Sequence, residues 1–375
     1  MMAARPTTRT RANDAPTATG SRPSAVGGPR VRDFATPTTS FTIEWDVRTI
    51  YDFLFSLNED HDFPHDLLDE DKAWLAAARA RLVEQHPDKV QVLLGSEMSI
   101  LVAAYAVEHP ELTTIDAFLD AFEAAPVTSM LETMLCDLVR DPEIGDLVAE
   151  ASTGDARALA DLRAAIPEHK VGLHALLEDP AAGLRTVVAV LRSWAVPFAA
   201  IEPRIQTMLD RDHALRARDR GTSSSSELIE HTTGGIRWLP EVGVKRVILS
   251  PTYFSRPYNI LLAGPDWRFF AYPVSDDALE AEDRLSPPPA VVRLHRALGD
   301  ETRLRILKLL AGQDLYLTEI AQHLDLSKPT IKHHLAQLRS AGLVTVIEAG
   351  TVIYYSLRRD RIESASTDLA RFLIP

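Results

Sequence analysis

The chain has 375 residues, of which 46% are hydrophobic and 25% are charged, a balance that is ordinary for a globular protein. Its single cysteine, Cys136, excludes an internal disulfide and fits a reducing cytoplasm. No stretch reaches about 18 uncharged apolar residues, so we expect no membrane span. The formal net charge of −13 by itself argues against a nucleic-acid partner.

The charge is unevenly distributed along the chain. Residues 290–361 contain eleven Lys or Arg and seven Asp or Glu, a local net charge of about +4. Residues 1–33 are also near +4, whereas residues 34–289 are near −20. This distribution predicts an acidic body joined to a basic C-terminal module.

The first 38 residues are rich in Thr, Ser, Pro, Gly and Arg and have no apolar periodicity, which predicts a disordered tail. Residues 39–274 show mostly helical spacing, as in residues 47–57. Strand-like runs are predicted at residues 41–45 (FTIEW), 244–249 (VKRVIL), 259–262 (NILL) and 267–272 (WRFFAY), the last two forming a hairpin. The acidic, proline-containing residues 275–289 are predicted to be a linker.

The C-terminal module begins with a helix that Asp300 can cap and that ends near Gly312. We expect its buried face to consist of leucines and its outer face of cationic residues. The leucines are Leu304, Leu307 and Leu310, and the cations are Arg303, Arg305 and Lys308.

Two short helices joined by a tight turn are predicted next. Thr318 can cap the first helix, and the small side chain of Ala321 allows the two helices to cross closely. Asp325 stands in the turn, where the backbone is often left-handed. Ser327 can cap the second helix, with Pro329 in its first turn, where a missing N–H has no cost.

The second of these helices has one apolar and one polar face. Ile331, Leu335 and Leu338 form the predicted core face. The opposite face is polar, cationic and able to hydrogen-bond, and with the cap Ser327 it gives these candidate DNA contacts: Lys328, Thr330, Lys332, His333 and Gln337. An exposed helix N-terminus of this kind suits phosphates and base edges in a major groove.

The helix is predicted to stop at Ala341-Gly342, and the alternating runs LVTVIE and TVIYYSL around Ala349-Gly350 predict a two-stranded wing. The wing tip lacks arginine, so we assign backbone phosphate contacts to Arg358 instead, together with its neighbour Arg359.

The segment VVRLHRALGDETRLRILKLLAG…LTEIAQHLDLSKPTIKHHLAQLRSAGLV…YYSL resembles the winged helix-turn-helix domain of the ArsR/SmtB-like (arsenic-repressor) family. The resemblance covers about the last quarter of the chain. It implies a homodimer that binds double-stranded DNA at an imperfect palindrome. The dimer would form through a helix at residues 290–298 and the final helix, residues 362–375. In the final helix the apolar residues are Ile362, Leu369, Phe372 and Leu373.

Two departures from that family exclude its usual metal sites. Where founding members have a Cys-x-Cys pair, this chain has Leu315-Tyr316-Leu317, and residues 362–375 contain no His. His61 and His65 lie in an acidic run that is better interpreted as a solvated loop than as a metal site. We therefore expect no metal and no cofactor.

The sequence thus predicts an α+β, mainly helical chain: an N-terminal helical domain with a small antiparallel sheet (residues 39–274) and a winged helix-turn-helix at residues 290–361. We expect a cytoplasmic, sequence-specific DNA-binding transcriptional regulator, a repressor, with the helix of residues 327–341 in the major groove. The acidic body would bind a small-molecule effector or a partner and shift the dimer between DNA-competent and incompetent states.

Two alternatives remain: an enzyme with an accessory winged helix, and a winged helix used for protein contact. We expect no enzyme, because the sequence has no Gly-rich phosphate loop, HExxH motif or nucleophile elbow. A protein-contact face should be apolar or acidic, whereas Lys328 and Lys332 make this one cationic.

Overall fold

The computed structural model describes residues 40–58, 66–87, 89–94, 98–141, 143–217, 224–279, 287–349 and 352–374. The predicted tail (1–38) and the pair His61 and His65 lie outside these residues. Within them, the acidic body is mostly helical. Its α-helices are α1 (Ile50–Phe55), α2 (Asp69–Gln85), α3 (Met98–Glu108), α4 (Ile115–Ala124), α5 (Val127–Leu135), α6 (Gly145–Ser152), α7 (Ala156–Ala165), α8 (Val171–Glu178), α9 (Pro180–Phe198), α10 (Glu202–Arg216) and α11 (Ser225–Thr232).

The body contains a four-stranded sheet in the order β1-β3-β5-β4. Its strands are β1 (Thr42–Trp45), β3 (Arg246–Thr252), β4 (Ile260–Ala263) and β5 (Trp267–Pro273). The predicted hairpin is confirmed, because β4 and β5 pair antiparallel. The predicted antiparallel sheet is wrong, since β1, β3 and β5 run parallel to one another and the sheet is mixed.

Burial of the central strands explains the parallel arrangement. Six of the seven residues in both β3 and β5 are buried, so both faces of these strands are covered. Ile248 and Phe269 face the main helical core, whereas Val247 and Phe270 belong to a second apolar cluster with Trp238. Strands covered on both faces are typical of parallel pairing. The near-continuous apolar runs were the signal for this in the sequence.

Asp52 of α1 is completely buried and fixes the chain that leaves β3. Its Oδ1 accepts hydrogen bonds from the backbone N–H groups of Tyr253 (2.8 Å) and Phe254 (2.7 Å). Burial raises the pKa of the Asp52 carboxyl to about 7, and the two backbone donors oppose this shift. The start of the loop between β3 and β4 is therefore tied to the core through this carboxyl group.

The C-terminal module has the predicted order of elements. Its helices and strands are α12 (Pro289–Leu298), α13 (Glu301–Leu310), β6 (Leu315–Tyr316), α14 (Leu317–Leu324), α15 (Lys328–Ser340), β7 (Val344–Ala349), β8 (Val352–Leu357) and α16 (Arg359–Leu373). The cap at Asp300 is confirmed, since its carboxylate accepts from Arg303 N–H at 2.9 Å. Thr318 is the second residue of α14 rather than its cap. Tyr316 occupies the cap position, and its backbone N–H donates to the Glu319 carboxylate at 3.1 Å. The final helix begins at Arg359, three residues earlier than predicted.

The predicted faces of α13 are wrong at two positions. Leu304 is 47% exposed, and Ile306 is buried in its place. Arg303 is only 9% exposed, and it donates to the carbonyl oxygens of Arg296 and Ala297, both at 2.8 Å. These carbonyls lie in the last turn of α12, where carbonyl groups lack partners within the helix. Arg303 of α13 therefore caps the C-terminal end of α12. That use of a cation cannot be read from apolar spacing.

The wing belongs to a larger sheet than predicted. Its order is β2-β7-β8-β6, and β2 (Ile236–Trp238) comes from the acidic body. β2 runs parallel to β7, with Ile236 opposite Val346. The preceding Gly235 has φ +128°, and a Cβ there would lie 3.1 Å from Thr345 Oγ1. Glycine therefore permits the close approach that joins the two parts of the chain.

A cluster of charges makes a second junction between body and module. Arg293 of α12 pairs with Asp66, which also accepts from the buried Arg256 at 3.2 Å. Asp276 joins the cluster by accepting from Arg256 at 2.5 Å and from the N–H of Ala290 at 3.0 Å. Burial, with the nearby Arg361, lowers the pKa of Arg293 to about 10. The predicted linker thus begins with an anchored 3₁₀ turn, Asp276–Ala278.

Among the described residues no single helix is long and apolar enough to cross a membrane. The pair α9 and α10 meets that criterion together, but the two helices are bent by 83° at the break between them.

Candidate nucleic-acid interface

The helix α15 presents its first turn to solvent and its apolar face to the module. Asp325 adopts the left-handed conformation (φ 54°) that was predicted for the turn before it. Ile331, Leu335 and Leu338 are buried, as predicted. The exposed residues are Ser327, Lys328, Pro329, Thr330 and Lys332. The N-terminal part of α15 is therefore open to an incoming partner.

Ser327 caps α15, as predicted, by accepting from the N–H of Thr330 at 3.3 Å. The two hydroxyl groups also hydrogen-bond each other at 2.7 Å. Because Thr330 spends one hydroxyl interaction on the cap, it has less freedom to reach a base than either neighbouring lysine. The first turn is thus rigid, while Lys328 and Lys332 extend from it.

Replacing Ser327 by alanine is expected to reduce the free energy of unfolding by about 1 kcal/mol, because the N–H of Thr330 loses its acceptor. Urea denaturation of the full chain measures the effect. Ser327→Asn retains a capping oxygen and should restore most of the loss. Equal stability of the alanine variant and the original chain would contradict the cap.

His333 and Gln337 are half-buried and interact with each other. The Gln337 amide nitrogen lies 2.7 Å from His333 Nε2, which makes the imidazole nitrogen the acceptor. The amide oxygen of Gln337 accepts from the guanidinium of Arg303. Gln337 therefore connects α15 to α13 through Arg303, and it also contacts His333 one turn earlier on α15.

His334 of α15 is also half-buried, and it lies near the N-terminus of α13. Its Nδ1 is 3.8 Å from Asp300. Burial lowers the pKa of His334, while Asp300 opposes the shift. Among the described residues its buried Nδ1 has no hydrogen-bond partner.

Arg358 lies apart from the α15 face. Its guanidinium donates to the carbonyl oxygen of Gly234 at 3.0 Å and to Asp360 at 3.1 Å. The first contact is at the junction with the body and the second is to α16, so the structure brings together the six candidates on α15 and its cap but not Arg358. The assignment of a phosphate contact to Arg358 stays a prediction.

Sequence reasoning missed the second flank of α15. Ala336 and Arg339 lie one turn and two turns after Lys332 on the side that faces the body, where they border a cavity with Phe55 and Ile260. Small and cationic residues at this spacing were visible in the sequence. Nothing in it showed which part of the 375-residue chain they face.

Comparisons with known proteins match the module. The family model described as bacterial regulatory protein, arsR family, matches residues 300–346. The transcriptional repressor SdpR of Bacillus subtilis (strain 168) is 37% identical over 78 residues, which are 21% of this chain and 87% of that protein. The HTH-type transcriptional regulator KmtR of Mycobacterium tuberculosis is 35% identical over 78 residues, 21% of this chain and 60% of its own length.

Among solved structures, HlyU from Vibrio cholerae N16961 is 30% identical in sequence. The match covers 23% of this chain and 94% of HlyU, with a TM-score of 0.19. SdpR, KmtR and HlyU thus each match about a fifth of the chain.

Proposed function

This chain belongs to the arsR family of bacterial regulatory proteins and is a DNA-binding transcriptional regulator, and from that premise we propose that it is a repressor that inserts α15 into the major groove of its operator. The observation that supports this most is the exposed, capped and cationic first turn of α15. Its lysines suit phosphates or guanine edges. We assign these roles to the candidates on α15 and its cap, which are Ser327, Lys328, Thr330, Lys332, His333 and Gln337.

We propose that two copies bind an imperfect palindrome. α12 and α16 pack against each other in the single chain, and α16 leaves apolar side chains uncovered. Leu373 is 62% exposed, and Ile362 is also exposed on the same helix. A homodimer that covers these residues would place two α15 helices about one turn of DNA apart.

We also propose that the acidic body, residues 39–274, transmits the presence of an effector to the module. The strand β2 and the charge cluster around Arg293 connect the two parts directly. A ligand that changes the body can therefore change the position of α15 without a flexible intermediary. The regulator would act in the cytoplasm, where its operator lies.

Selection of bound sequences from random double-stranded DNA with the purified full chain tests the function. We expect a two-fold related motif, and affinity for it should fall by at least about tenfold between roughly 50 and 200 mM salt, because cations on phosphates release counterions. Failure to enrich any motif, or an affinity that does not respond to salt, would refute the proposal.

Replacing Lys328 by alanine should weaken binding to the selected motif by about 1–3 kcal/mol and relax discrimination between related motifs, if the lysine contacts a base. Fluorescence anisotropy with matched and altered DNA measures both effects. The control is Lys89→Ala, which removes the same charge from an exposed position in the helical body. Equal losses for the two variants would mean that charge alone, and not the α15 position, determines affinity.

A further inference from the structure

A cavity of about 240 Å³ lies between the body and α15. The body contributes Phe55 at the end of α1, the loop after β3, and Ile260 at the start of β4. The module contributes Lys332, Ala336 and other side chains of α15 and β8. The volume is below the range of roughly 300–1,000 Å³ typical of drug-sized ligands, so the cavity suits a small molecule.

The charge of the cavity is opposite to that of the body. Among the described residues that line it there is no Asp or Glu, whereas two are cations, Lys332 and Arg339. The surrounding residues 34–289 are strongly acidic, near −20. No described carboxylate forms an ion pair with Lys332, whose ammonium is therefore available to an anion.

The remaining walls combine apolar surface with one unused acceptor. Phe55, Ile260 and Ala336 supply apolar contacts. Asn259 donates from its amide nitrogen to the carbonyl of Thr233 at 3.1 Å, but its Oδ1 is buried without a hydrogen-bond partner. A buried acceptor without a donor, on a residue that lines the cavity, favours a ligand that provides one.

We propose that this cavity binds a small aromatic carboxylate that also has a hydroxyl or amino donor, and that the bound ligand weakens operator binding. The carboxylate pairs with Lys332, the ring packs on Phe55 and Ile260, and the donor reaches Asn259. The second half of the inference rests on the proposed function, because Lys332 is assigned there to DNA. One ammonium group cannot pair with the ligand and a phosphate equally well, so the two ligands oppose each other.

Ligand binding is tested first without DNA, by titration calorimetry of the full chain with 2-, 3- and 4-hydroxybenzoate. At least one isomer should bind. Benzoate, which lacks the donor, and the corresponding hydroxybenzyl alcohol, which lacks the charge, should each bind about tenfold more weakly, since a charge-assisted or buried hydrogen bond is lost. No binding by any isomer, or equal binding by the neutral alcohol, overturns the proposal.

Variants locate the site. Ile260→Phe adds bulk inside the cavity and should abolish binding of the best hydroxybenzoate, whereas Leu261→Phe adds the same group to the opposite face of β4 and should leave it unchanged. Lys332→Met should weaken binding about tenfold by removing the cation. Equal effects of the two β4 variants would place the ligand elsewhere, and unchanged affinity in Lys332→Met would refute the ion pair.

The coupling is then measured as operator affinity with and without the best hydroxybenzoate. The ligand should weaken operator binding by the original chain at least about fivefold, the low end of usual coupling energies, and should have no effect on Ile260→Phe. Operator binding without hydroxybenzoate binding would reject the cavity and retain the proposed function. Hydroxybenzoate binding without any operator binding would support the cavity and reject the proposed function.

Discussion

Replacing Arg303 by methionine is expected to reduce the free energy of unfolding of the module by about 3 kcal/mol, because a charged donor is removed from buried acceptors. The carbonyl oxygens of Arg296 and Ala297 and the amide oxygen of Gln337 would lose their donor together. Methionine has a similar length and keeps the apolar contacts of the stem. Denaturant unfolding monitored by circular dichroism measures the loss.

Arg305→Met is the matched control, since Arg305 is exposed on the same helix and its loss should change stability by less than about 0.5 kcal/mol. The Arg303 variant should also weaken operator binding, because Gln337 then loses the contact that positions it on α15. Similar stabilities of the two variants would mean that Arg303 does not hold the three helices together.

Replacing Asp52 by asparagine is expected to remove a pH dependence of stability on the order of 3 kcal/mol between pH 4 and pH 7. In the folded chain the raised pKa keeps the proton on Asp52, whereas the unfolded chain releases it near its ordinary value. Rising pH therefore favours the unfolded state until the folded pKa is reached, near 7. Asparagine keeps an oxygen for the N–H groups of Tyr253 and Phe254 but does not titrate.

Unfolding free energies of both chains at a series of pH values across this interval give the comparison. The stability of Asp52→Asn relative to the original chain should increase with pH and level off above pH 7. Asp69→Asn provides the control, because Lys72 lowers the pKa of that exposed carboxyl, so it stays ionised in both states across most of this interval and its loss should leave the profile nearly unchanged. Parallel profiles for the original chain and Asp52→Asn would show that Asp52 is ionised in the fold.

Local signals in the sequence predicted the module well. Ser327 and Asp300 cap the helices for which they were proposed, and Asp325 has the left-handed backbone expected of the turn. These features depend on neighbours within four residues, so they are written in the local sequence. Long-range features were not predicted, because they depend on residues that are far apart in the sequence. The burial of Arg303 depends on carbonyls that another helix presents, and the spacing of leucines gives no information about them.

The body was predicted less well than the module. Alternation identified its strands, but strand direction depends on where distant segments return, and β1 and β3 are separated by some two hundred residues. The candidate DNA contacts were found because they share one short helix. The cavity beside them was not, because Phe55 and Ile260 reach Ala336 only through the tertiary fold.

The pairing of β2 with β7 limits the use of the C-terminal module as an isolated fragment. A fragment starting at α12 would lack the partner of β7, and the backbone groups that pair with Gly235 and Ile236 would become an open edge. Such edges recruit strands from other molecules and promote aggregation. A chimera that fuses this module to another sensor domain must therefore include residues 234–238 or supply a substitute strand. The smallest exchangeable unit is therefore the module together with β2.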